Sequence, residues 1–210
     1  METTMQGSAV DVGESSNVAI EPMATGGFGI RFAGRLIDMV AGMVSGLVGG
    51  IIGGIVLAVL AQMGTVGPDW VQKVGNVGSS LLSSIAWGLL GGILYASVSE
   101  GVGGTTFGKW VLGYRVVQED LKPCGFGAAL KRSVAYLVDA FFFGLPAYNA
   151  MQNGAYNQRL GDKWAKTMVV KTSALPASAR RSGGLIALGL LCGMFAQVVV
   201  SVISIVSKAM

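Results

Sequence analysis

The sequence contains no histidine and only two cysteines, Cys124 and Cys192. Without histidine, imidazole acid/base catalysis is excluded. Two cysteines far apart, one in a polar stretch and one in an apolar run, build neither a disulfide framework nor a zinc site. Charge is also scarce, since Asp, Glu, Lys and Arg make up 12% of the 210 residues. No pair of nucleophile and base stands out, so no enzymatic activity, cofactor or metal is expected. The net charge is only +4, and the basic residues sit beside apolar runs. That placement marks orientation in a membrane rather than nucleic-acid binding.

What is abundant is apolar: 52% of the residues are hydrophobic and 33 are glycine. They come as long unbroken runs rather than amphipathic stripes, which predicts a polytopic membrane protein in contact with lipid.

The first run is introduced by RFAGRLIDMVAG and carries no charge from Met39 to Pro68. About 20 apolar residues at roughly 1.5 Å each cross the hydrocarbon, so a span is expected over about 36–61. Arg31, Arg35 and Asp38 share one helical face and are expected to pair. A carboxylate at that depth is costly, and it is read either as a functional group or as an interfacial latch that fixes the depth of the helix. Gly42, Gly46, Gly50 and Gly54 continue the four-residue spacing of Gly34 and Asp38. Small residues so spaced leave a groove for a second helix. A second span over about 77–98 repeats the device with Gly88 and Gly92, and the two spans are expected to pack as a hairpin through these faces.

The stretch after the second span contains a nominal GxxxxGK from Gly103 to Lys109. A phosphate loop follows a strand and needs Ser or Thr after the lysine; here a membrane helix precedes and Trp110 follows, so an interfacial role is expected. TyrArgValVal from Tyr114 reads as a strand that pairs with a second ValVal segment near residue 169. Between them, residues 128–150 are barely long enough to span, contain Asp139, and are broken at Gly144 and Pro146. A crossing there would put Arg159, Lys163, Lys166, Lys171, Arg180 and Arg181 outside, against the positive-inside bias. A re-entrant or interfacial helical hairpin is therefore expected, its break lying against the first two spans. A third span over about 185–206 carries Gly189, Gly193, Gln197 and Ser201 on one face.

The blocks RFAGRLIDMV, TTFGKWVLGYRVV and NQRLGDKWAKTMVV, in this order, resemble the RDD family of bacterial membrane proteins. The resemblance covers about residues 28–171. It implies that Arg31 or Arg35 is the family arginine, that Asp38 is its first aspartate and that Asp162 is its second. Family proteins are associated with transport of a small ligand or ion. The expected fold class is an all-α membrane protein: three full transmembrane helices, the helical hairpin and a small cytoplasmic β-hairpin. The expected layout is a disordered acidic cytoplasmic tail (1–27), an RDD-like domain (28–172), a basic linker (173–184) and a C-terminal span (185–210). The expected location is the bacterial inner membrane, with the N-terminus cytoplasmic.

Two functions fit. In one, Arg31, Arg35, Asp38, Arg132, Asp139, Arg159 and Asp162 form an intramembrane network through which an ion or solute moves, a carboxylate exchanging an arginine for a proton or cation. Three spans without an inverted repeat are few for a carrier, so this reading implies a homo-oligomer. In the other, the chain is an accessory or scaffold subunit whose glycine faces bind other membrane proteins.

Overall fold

The structure, a computed structural model, describes residues 24–76, 81–142, 144–153 and 156–209. Three helices are long and apolar enough to cross a membrane: α1 (Phe28–Gln62), α3 (Leu81–Gly103) and α8 (Gly183–Ala209). A short α2 (Trp70–Gly75) lies between the first two. After α3 come α4 (Phe107–Val111), β1 (Tyr114–Gln118), α5 (Phe126–Phe141), α6 (Leu145–Gln152), α7 (Leu160–Trp164) and β2 (Thr167–Lys171). Residues 1–23 of the expected tail lie outside the described residues, as do 77–80 at the expected start of the second span.

The long helices have their bulk outside. On α1 the buried residues are Gly34, Asp38, Ala41, Ser45, Gly49, Gly53 and Leu57, a narrow stripe of mostly small side chains. Met43, Val44, Leu47, Ile51 and Ile55 on the other faces are exposed. Large apolar groups turned outward suit a hydrocarbon solvent, where close backbone packing rather than the hydrophobic effect joins helices. The helix ends when Gly64, at φ 73°, turns the chain and the Thr65 amide returns to the Leu60 carbonyl.

The expected α1–α3 hairpin is not what forms. Helix α8 packs against both α1 and α3, whereas direct α1–α3 packing is slight. A methyl group on Gly49 would meet Ser201 Cβ at 2.5 Å, and one on Gly53 would meet Ile205 at 3.2 Å. On the other side of α8, a methyl on Gly189 would lie 2.5 Å from the Gly103 backbone nitrogen, and one on Gly193 would collide with the Ser99 hydroxyl. The closest crossings therefore use the α8 stripe read from the sequence, but on α1 they use Gly49 and Gly53. Of the expected α1 positions, Gly42 meets Gln197 and Gly50 touches Ile205, while Gly46 and Gly54 have nothing within 4 Å. On α3, Gly88 is likewise open and Gly92 approaches Arg35 instead of α8. A three-helix contact rotates the α1 face by one position from the one a two-helix hairpin would use.

These contacts also give direction: α8 runs parallel to α1 and antiparallel to α3. The start of α1, the end of α3 and the start of α8 therefore share one end of the bundle, where α4 to α7 and both strands gather, while α2 packs on the end of α8 at the other. Strands β1 and β2 pair antiparallel, with Arg115 opposite Val170, Val116 opposite Val169 and Val117 opposite Met168. They form a two-stranded sheet, but not a hairpin, because α5, α6 and α7 intervene. Alternation covers both faces. Val117, Met168, Val170 and Leu175 form one cluster, and Val116, Cys124, Ala129 and Val169 form the other. Thr25 bridges to Val170 and the Gly26 amide donates to the Val169 carbonyl at 2.9 Å. Residues 24–27, assigned to a loose tail from composition, are thus fastened to the sheet edge.

Candidate functional site

Helix α4 brings the first carboxylate into place. Its Gly108 sits directly on the Gly34 carbonyl of α1, an approach that admits no side chain. From there the Gly108 amide donates to Asp38 Oδ1 at 2.8 Å. Tyr95 of α3 donates its hydroxyl to the same oxygen at 2.9 Å and accepts from the Phe107 amide at 3.0 Å. Thr106 donates to Asp38 Oδ2 at 2.7 Å. Three donors from two elements thus satisfy a buried carboxylate. The expected pairing of Asp38 with Arg31 and Arg35 does not occur: among the described residues it has no ion-pair partner. The two arginines share its helix but turn to the elements below.

Arg31 donates to Asp162 Oδ2 at 2.5 Å, to the Gly26 carbonyl at 2.8 Å and to the Asn157 carbonyl at 2.8 Å. Asp162, fully buried in the first turn of α7, also lies 3.1 Å from Arg132 Nη2 and 3.7 Å from Arg159 Nε, and it accepts the Arg159 amide at 3.1 Å. Burial alone would raise its pKa. The guanidinium groups of Arg132, Arg31 and Arg159 outweigh that and hold it well below the usual carboxylate range. Arg132 of α5 is buried as well, and Glu100 of α3 is 3.6 Å from its Nε. Lys109 of α4 closes the chain, 2.8 Å from Glu100 and 3.3 Å from the Thr106 hydroxyl. Arg159 also reaches Asp139, at 3.9 Å.

A continuous polar network therefore runs from Asp38 through Thr106, Lys109, Glu100, Arg132 and Asp162 to Arg31, Arg159 and Asp139. All seven charged residues expected from the sequence lie in or beside it. Four members come only from the structure: Tyr95, Glu100, Thr106 and Lys109. Glu100 had a legible signal, being a lone acid at the end of the second apolar run as Asp38 is at the head of the first. Tyr95 and Thr106 carried none, because a neutral hydroxyl becomes a carboxylate partner only through placement.

Above the network lies a cavity of about 330 Å³ between α1, α3, α5 and α6. Its floor is polar, with Arg31, Arg35, Asp38, Glu100, Lys109, Arg132, Asp139 and Arg159. Arg35 stands apart from the ion pairs, its guanidinium stacked 4.3 Å from the centre of the Tyr136 ring, with Nε buried and unbonded. Asp139 Oδ1 is buried and unbonded too. Phe32, Leu36, Met39 and Leu89 line the cavity from α1 and α3 and remain exposed on the outer surface.

The architecture is that of a multi-pass membrane protein with a charged, sheet-bearing cap at one end of its helices. The RDD family model matches residues 25–166, about two thirds of the chain, and the protein belongs to that family. The matched part contains the whole network and the cavity, while α8 lies beyond it. No curated protein and no solved structure matches the chain.

Proposed function

We propose that the protein binds a small charged solute in the cavity and passes it across the bacterial inner membrane. The observation that carries this reading is the cavity itself, apolar toward the bilayer, with buried ionisable groups on its floor that are not all paired. Such groups are expensive in a membrane and are by default functional. All lysines and arginines except Lys73 and Lys208 belong to the elements at the capped end. The positive-inside bias supports putting this end, and the N-terminus, in the cytoplasm. Since β1 and β2 pair, the residues between them leave and return on one side. Helix α5 starts beside Gly101 of α3, and the Gly144 turn after it lies near Phe28 of α1. That path supports an interfacial rather than a deeply re-entrant hairpin.

One observation favours the accessory reading. Gly46 and Gly54 have open space beside them on an apolar face of α1 that α3 leaves uncovered. A further copy or another membrane protein fits there.

The test is flux of Na⁺, K⁺, H⁺ and Cl⁻ in proteoliposomes, with Asp38→Asn as the variant. Asn keeps one acceptor for Tyr95 and Gly108, and the Thr106 hydroxyl can turn to accept, so the fold is expected to lose only about 1 kcal/mol. A tenfold or larger loss of flux in folded Asp38→Asn is the expected outcome. Absence of flux in the wild type, together with a stoichiometric foreign subunit at its native mass, makes the protein an accessory chain.

A further inference from the structure

The charges around the cavity do not balance. Arg31, Arg35, Lys109, Arg132 and Arg159 face Asp38, Glu100, Asp139 and Asp162, leaving one positive charge in excess. Four of the cations share Glu100, Asp139 and Asp162, and Asp38 is held by neutral donors. Arg31, Lys109, Arg132 and Arg159 each have a carboxylate within 4 Å, whereas Arg35 has none among the described residues. Asp38, three residues along the same helix, is already committed to Tyr95, Thr106 and Gly108. Asp139, whose Oδ1 is unbonded, is drawn instead toward Arg159, which also faces the Tyr136 ring at 5.8 Å. A guanidinium in a low-dielectric site with no carboxylate in contact is stabilised by an anion.

The route to Arg35 is apolar. Leu36 and Met39 of α1 and Leu89 of α3 line the cavity and are exposed on the outer surface, and direct packing between α1 and α3 is slight, the Tyr95–Asp38 hydrogen bond joining them at the floor. A free inorganic anion would have to shed its water to enter this way. A lipid enters with its acyl chain already in hydrocarbon.

We propose that the cavity is a site for an anionic phospholipid, whose phosphodiester pairs with the Arg35 guanidinium and whose acyl chain leaves between α1 and α3 along Leu36, Met39 and Leu89. This rests on the cavity being the ligand site and names the ligand's class. Arg35 is the specificity group: planar, permanently charged and held over the Tyr136 ring, it presents paired donors to phosphate oxygens. Gly92 lines the cavity beside Arg35: a methyl group there would touch the guanidinium at 3.8 Å, and a larger side chain would reach into the space in front of it.

The experiment is native mass spectrometry of the purified full-length protein titrated with phosphatidylglycerol, phosphatidylcholine or inorganic phosphate. Phosphatidylglycerol is expected to bind one per chain, at least tenfold more tightly than phosphatidylcholine, without competition from millimolar inorganic phosphate. Arg35→Gln is expected to lose about tenfold or more of that affinity, and Arg35→Lys to recover part of it. Gly92→Val adds bulk beside the Arg35 guanidinium without removing a charged residue, and is expected to weaken the tight site at least tenfold even if Arg35→Gln misfolds. Equal binding of both lipids, or binding unaffected by Gly92→Val, overturns the proposal and leaves only annular lipid. Competition by inorganic phosphate overturns it in favour of a free anion. Movement is read separately, by dithionite quenching of labelled phosphatidylglycerol in proteoliposomes. Bound but unmoved lipid keeps this site and removes translocation, whereas Asp38-dependent ion flux without lipid binding does the reverse.

Discussion

Arg31, near the start of α1, donates to Asp162 of α7 from 131 positions away, and both side chains are buried. The contact ties the first membrane helix to the end of the segment that caps it. Through its other nitrogens Arg31 also holds Gly26 and Asn157, so one side chain fastens three pieces of chain together.

Asp162→Asn removes the single carboxylate shared by Arg31, Arg132 and Arg159. Breaking a buried ion pair by deleting one partner costs about 3–5 kcal/mol, because the surviving charges stay buried. The variant is expected to insert but to lose most folded protein, measured as monodisperse recovery and melting temperature in mild detergent. Melting like the wild type would mean that the three arginines find other partners.

The pH dependence follows from the same group. Its folded pKa lies below the unfolded value of about 3.9. Its stabilisation is therefore complete above that value and is lost as pH falls through the folded one. The difference in melting temperature between wild type and Asp162→Asn is expected to be level from pH 8 to 5 and to shrink only below about pH 4. A difference already shrinking at pH 6 would show that the carboxylate takes up a proton in the physiological range.

The two kinds of glycine on the long helices separate cleanly. Gly189→Ala places a methyl 2.5 Å from the Gly103 nitrogen, so α8 must move away from α3, and a loss of about 1–3 kcal/mol is expected. Gly46→Ala meets nothing within 4 Å and gains helix propensity, so it is expected to be neutral or slightly stabilising. Thermal melts of the two variants check the pair. A destabilising Gly46→Ala in the intact complex would instead reveal a partner helix on that face.

Single cysteines introduced between Asn157 and Arg180 are expected to resist an impermeant thiol reagent applied outside intact cells and to react in inverted vesicles. Cys124 is buried and Cys192 lies on a membrane helix, so both are replaced by serine first. Labelling from outside would put the β1–β2 sheet on the far side of the membrane and reverse the orientation.

The sequence by itself determined the membrane class, the three spans, the two strands and their pairing. Each is written in local pattern: unbroken apolar runs near bilayer length, a ValVal alternation, a glycine and proline that interrupt a helix. It also marked the charged residues, because ionisable groups beside apolar runs are conspicuous. Only the tertiary structure decided who pairs with whom. Arg31 and Asp38 share a helix face, yet one reaches α7 and the other receives α4, because Gly108 lets α4 sit on Gly34, which brings the Gly108 amide and the Thr106 hydroxyl onto the carboxylate. Likewise, four-spaced glycines state that a helix can pack closely but not which helix does. The choice of α8 over α3 depends on three surfaces meeting at once, a condition that spacing within one helix does not contain.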